Sequence, residues 1–170
     1  MYSIIEFIIG NYFTVCLLIG LVAAFVSVSK HPKPVPKEFI YDKYFSYYLL
    51  FAVGINNLIN FIFHVFFGDT AAAFIGWEQS PFQAEVGFAS LGVGIAGVLA
   101  YKSLFPFRTA TMIPPAAFSL GAAGGHIYYM IRDNNFSPGN VGLILPVDII
   151  LPLIGLIFMW KCYKYPLKKE

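Results

Sequence analysis

Four ionisable side chains lie within otherwise apolar stretches of this chain: His64, Glu85, His126 and Asp148. Two imidazoles and two carboxyls are a credible ligand set for a divalent metal such as Zn, Mn or Fe. The same groups can hold and pass a proton, or act as general acid and base with Glu85 as one partner and His126 or Asp148 as the other. His64 and His126 could clamp a haem between two helices, but the neighbouring carboxylates make haem the weaker fit. The motifs that would single out one of these chemistries do not occur. Phe88, not His, stands three residues after Glu85, so the Glu-x-x-His of di-iron bundles is missing. No P-loop, GxSxG or HExxH is present. Catalytic residues therefore cannot be assigned.

Groups of this kind are costly in hydrocarbon unless they have a partner or a task. The chain is 58% hydrophobic and 12% charged, with a mean hydropathy of +0.71. Soluble domains carry about 25% charged residues. This composition predicts an all-α integral membrane protein with one domain over residues 1–170. The two cysteines, Cys16 and Cys162, fall at different depths and read as free thiols. The apolar N-terminus has no basic stretch before it, which argues for a retained first helix rather than a cleaved signal peptide.

Five spans are expected, over 3–29, 41–67, 81–105, 109–132 and 141–160. The prolines and lysines of 30–37 make a stiff linker between the first two. The second span places Asn56, Asn60 and His64 on one face, at i, i+4 and i+8. Asn56, Asn57 and Asn60 read as links between helices rather than ligands, and Asn60 as a supporting neighbour of His64. A short interfacial helix is expected near Ala71–Ile75. Ser80 is a good N-cap for the third span, with Pro81 at its first position and Gln83 where a capping box places it. Ser90/Gly94 and Gly92/Ala96/Ala100 are small-residue spacings that allow close helix approach, as is Ala117/Gly121/Gly125. Pro114-Pro115 is expected to bend or delay the fourth span. Pro152 cannot donate to the carbonyl of Asp148, which points to irregular backbone beside a cavity.

The basic residues fix an orientation. Lys30, Lys33, Lys37, Lys43, Lys102, Arg108, Lys161, Lys164, Lys168 and Lys169 fall on one side, and Arg132 alone on the other. The positive-inside rule then puts the N-terminus outside and the C-terminus in the cytoplasm. In that topology His64, Glu85, His126 and Asp148 all lie roughly 5–12 Å below the outer interface, at 1.5 Å per residue. Glu6 also falls near the outer interface, close enough to the terminus to be solvated. The basic residues sit in short loops and the tail, so the charge speaks for a lipid bilayer and against nucleic acid. The small-residue faces suggest a homo-oligomer.

Three strings resemble a known family: Ser80-Pro81-Phe82-Gln83-Ala84-Glu85-Val86-Gly87, then Gly125-His126-Ile127, then Pro138-Gly139-Asn140-Val141-Gly142 followed by Asp148-Ile149 and Pro152. The chain is similar there, over about residues 77–155, to small bacterial multi-pass inner-membrane proteins of unknown function. The resemblance implies that Glu85, His126, Asn140 and Asp148 belong to one shared pattern. No activity comes with it. The reading is a membrane protein with a polar site near its outer face. Glu85, His126, Asp148 and His64 form that site, with Asn60, Gln83 and Asn140 in support, and it binds or transports a metal ion, a proton or a small ligand. The competing readings are an intramembrane enzyme, and a structural or accessory subunit whose polar cluster only locks helix packing.

Overall fold

The computed structural model describes residues 10–167, and every regular element among them is helical. The start of the first predicted span, with Glu6, and the tail residues Lys168 and Lys169 lie outside the described residues. Helix α1 is Tyr12–Ser29. The second span is one continuous rod of three parts: α2 (Lys37–Tyr48), a π-helical stretch (Leu49–Ile55) and α3 (Asn56–Phe66). Short helix α4 (Gly68–Ile75) follows, then α5 (Phe82–Ala100) and α6 (Phe105–Asp133). A single turn, α7 (Pro138–Val141), leads into α8 (Ile144–Lys164).

Among the described residues four spans are long and apolar enough to cross a membrane: Tyr12–Ser29, Lys37–Phe66, Phe82–Ala100 and Pro138–Lys164. Helix α6, at 29 residues, is longer than three of these but is not among them. Its Arg108, paired prolines, Ser119, three glycines and His126 dilute it. Pro114 and Pro115 do not delay it. It starts at Phe105, where Leu104 is extended and Pro106 falls in the first turn, a position that needs no N–H.

Alternate helices run in opposite directions, so the bundle has two unlike ends. The basic end is packed solid. Phe45, Tyr48, Leu49, Ala52, Val53, Ala100, Met112, Ala116, Leu151 and Cys162 form one buried cluster there. Both cysteines are buried and free. Arg108 is buried rather than solvated. Its Nη1 donates to Asp42 Oδ1 at 2.6 Å, its Nε to Ala100 O at 3.1 Å and its Nη2 to Tyr101 O at 2.9 Å. It thus satisfies two carbonyls left open where α5 ends, and its charge is matched by Asp42. Outside the core, large apolar residues such as Leu18, Phe25, Leu99, Ile131 and Ile157 are exposed, as a lipid-facing surface requires.

Helix α5 lies against the α2–α3 rod through a stripe of small residues. Gly97 meets Gly54, Gly94 meets Leu58, and Gly87 meets His64 and Val65. The π-helical stretch sits at the tightest of these crossings. A π-turn leaves carbonyls without their usual partner. Asn57 Nδ2 supplies one, donating to Val53 O at 2.8 Å. Gly92, Gly121, Gly124 and Gly125 have nothing near the place of a side chain, so those stripe positions make no close helix contact within the protomer.

Candidate functional site

The half of the bundle away from the basic end is hollow. A cavity of about 760 Å³ occupies it. Tyr48, Met112 and Leu151 form its floor, where Tyr48 Oη donates to Leu151 O at 2.8 Å. Helix α4 and the loop to Ser80 cover its far end with Phe74, Ile75 and Trp77. Aromatic and aliphatic side chains line most of it. Asn56, Asn60 and His64 all face it, from the single helical face that their spacing predicts.

His126 and Asp148 meet in its wall. His126 Nε2 is 3.5 Å from Asp148 Oδ2, and both side chains are buried. The other ring nitrogen reaches Asn140 Oδ1 at 2.7 Å. Asn140 is fully buried, and its Nδ2 donates to His126 O at 3.1 Å and to Asn135 O at 2.8 Å. Those two carbonyls take up the amide nitrogen, so Asn140 Oδ1 must be the acceptor and His126 Nδ1 must carry a hydrogen. With Nδ1 bonded to Asn140, it is Nε2 that faces the Asp148 carboxyl. Trp77 stacks on the imidazole, with ring centroids 5.7 Å apart and planes 28° apart.

The turn that carries Asn140 explains its own sequence. Pro138 opens a one-turn helix and needs no donor. Gly139 lies against Phe74, where a Cβ would come within 2.7 Å of the Phe74 carbonyl oxygen. Asn135 Nδ2 donates to Ile75 O and Gly76 O, tying the same loop to the end of α4. Gly76, at φ 78°, makes that end possible.

The other predicted members are not brought to this pair. His64 Nδ1 lies 2.5 Å from Gln83 Oε1 across α3 and α5. That pairing replaces the expected capping box, because no side chain caps α5 and the Gln83 amide turns inward. Asn60 does not support His64 directly. It accepts from Tyr12 Oη at 2.7 Å and donates to Ser90 Oγ at 2.8 Å, joining α1, α3 and α5. Glu85 stands on the exposed face of α5, in its first turn, and has no hydrogen bond or ion pair among the described residues. His64, His126 and Asp148 therefore line one cavity without His64 touching the pair, and Glu85 is not part of that lining. Among the described residues no three His, Cys, Asp or Glu side chains gather as a metal would need.

A carboxylate in the first turn of a helix gains about 0.3–1 kcal/mol from the helix dipole. That accounts for Glu85 without a ligand. Glu85→Ala is expected to lower stability by no more than about 1 kcal/mol and to leave any occupant of the cavity in place. A thermal melt of the solubilised protein checks it. A loss as large as that of Asp148→Ala would put Glu85 back in the site.

A model of a family of unknown function, DUF6790, matches residues 10–168. The chain belongs to that family. No curated protein and no solved structure matches it. The match reaches from α1 to beyond α8, so the cavity and the Asn140–His126–Asp148 relay lie wholly inside the family region. Tyr12, Trp77 and Asn56 are the lining residues that sequence reading passed over as site members. Of these only Asn56, on the face of His64, had a periodic signal.

Proposed function

We propose that the protein crosses the plasma membrane five times, with α6 as the fifth span, and binds a small, largely apolar molecule in its outer half. The basic residues at one end support placing that end in the cytoplasm. The observation that carries the reading is the cavity. Its volume falls in the range of about 300–1,000 Å³ typical of small-molecule sites. Its lining is mostly apolar, with a few converging polar groups: Tyr12, Asn56, Asn60, His126 and Asp148. His126 and Asp148 form the polar anchor. Asn140 holds the imidazole so that Nε2 faces the carboxyl at the cavity wall. A ligand hydroxyl or carbonyl can bind that edge as donor or acceptor.

Native mass spectrometry of protein purified in lipid nanodiscs tests this. An organic molecule is expected on the wild type, and Asp148→Asn is expected to weaken it at least tenfold. The substitution keeps the shape but replaces the carboxyl that faces Nε2 with an amide. An empty wild-type protein that no compound stabilises against heat would refute the reading, as would full occupancy in Asp148→Asn.

A further inference from the structure

The polar lining of the cavity is almost wholly spoken for. Tyr12, Asn60 and Ser90 bond one another, His64 bonds Gln83, Asn57 bonds Val53 O, and His126 bonds Asn140 and faces Asp148. Thr70 and Glu78, at the covered end, are exposed, and among the buried polar side chains of the described lining Asn56 is the exception. It is 4% exposed, it lines the cavity, and its Oδ1 is buried without a partner. Its side chain makes no hydrogen bond among the described residues. A buried amide left unpaired costs on the order of 1–3 kcal/mol. Asn56 sits directly after the π-helical stretch, two residues from the Gly54–Gly97 crossing, and deeper in the bundle than His64 by two turns of α3.

The cavity wall is also thin on one side. Ala89 on α5 and Ala117, Phe118 and Gly121 on α6 line the cavity and are themselves exposed. A side chain at Gly121 would meet nothing within 4 Å. The two helices are tied at the basic end by Arg108, so their separation is confined to the hollow half. Exposed small and apolar residues at that depth face acyl chains.

Resting on the small-ligand reading above, we infer that the occupant is an uncharged, lipid-soluble alcohol or phenol. It enters from the bilayer between α5 and α6 and places a hydroxyl on Asn56, distinct from the polar group that meets the His126–Asp148 edge. A hydroxyl suits an amide because it donates to Oδ1 and accepts from Nδ2. A charged head group does not suit this depth, where no counter-charge faces Asn56. The apolar body then fills the space among Phe63, Phe74, Trp77 and Phe118.

The test uses the full chain in lipid vesicles and a photoreactive long-chain alcohol, a diazirine-bearing hexadecanol, as probe. Labelled peptides are mapped by mass spectrometry. Labelling is expected on α3 and α6 residues of the cavity. Excess hexadecanol should displace the probe and hexadecane should not. Asn56→Leu should reduce labelling at least tenfold while raising the melting temperature, since it removes an unpaired polar group without changing volume much. A purely structural asparagine would lower both. Gly121→Trp, built into open space, should slow labelling from the bilayer. Equal displacement by hexadecane, undiminished labelling of Asn56→Leu, or a wild type that takes up no probe overturns this inference. A wild type that carries an organic molecule in the nanodisc experiment yet ignores the alcohol probe separates the two failures: the cavity reading stands and the alcohol does not. Unchanged labelling in Gly121→Trp overturns the lateral route.

Discussion

Asn140→Ala is expected to cost about 3–5 kcal/mol of stability, built from the hydrogen bonds it breaks in a buried place. Three partners lose their bond at once. The His126 Nδ1–H is left without an acceptor, and the carbonyl of Asn135 loses its buried donor. The carbonyl of His126 lies inside α6 and keeps its helical bond, so it suffers least. The imidazole is then free to turn. Once Nε2 leaves Asp148, a buried carboxyl must hold its proton alone or face the cavity charged. The loss is read as a fall in melting temperature of the purified protein. Asn140→Asp separates this account from simple packing. It has nearly the same shape but offers oxygens to two carbonyls, and it is expected to be as damaging as alanine. Rescue by aspartate would show that shape rather than donor pattern holds the turn.

That turn shows where sequence reasoning stops. The apolar spans and the charge asymmetry follow from composition and hydropathy, and their helices are present. Depth was also legible: His64, Glu85, His126 and Asp148 do fall in the same half of the bundle. The rotation of α5 is written in its small residues. Gln83, Gly87, Ser90, Gly94 and Gly97 recur at spacings of four and three and are all buried. At about 100° per residue, Glu85 lies two positions from both Gln83 and Gly87, on the opposite face. A carboxyl drew the eye to position 85 when the bundle takes up position 83. The cap reading failed for a related reason. Local spacing offered Gln83 to its own helix start, but His64 on a neighbouring helix is the stronger partner in a low dielectric. The π-helical stretch has no periodic signature, and the sequence Leu49–Ile55 reads as ordinary apolar helix. Nor does any local pattern place Asn140 on His126, because a loop of four residues separates α6 from the turn that carries Asn140.

The Gly54–Gly97 crossing carries the second large effect. A Cβ at Gly97 would lie 2.5 Å from the Gly54 nitrogen and 2.7 Å from its Cα. Both are backbone atoms and cannot swing aside as a side-chain tip could. Gly97→Ala must therefore push α5 away from the rod at its π-helical stretch. The cost is expected to be about 3 kcal/mol, at the upper end of overpacking, although alanine itself favours a helix by roughly 1 kcal/mol. Gly92→Ala is the matched control on the same helix. It points into open space, so only the propensity gain remains, and its melting temperature should hold or rise. Opposite signs from the same chemical change, five residues apart, would establish the crossing as the cause. The displacement has a further consequence, because Asn56 is two residues beyond Gly54. If α5 shifts there, Asn56 no longer meets the hollow at the same angle. Gly97→Ala should then lose probe labelling at Asn56 even at temperatures where the protein is still folded. A folded Gly97→Ala protein that labels like the wild type would mean that the crossing supports the bundle alone and leaves the cavity to other contacts.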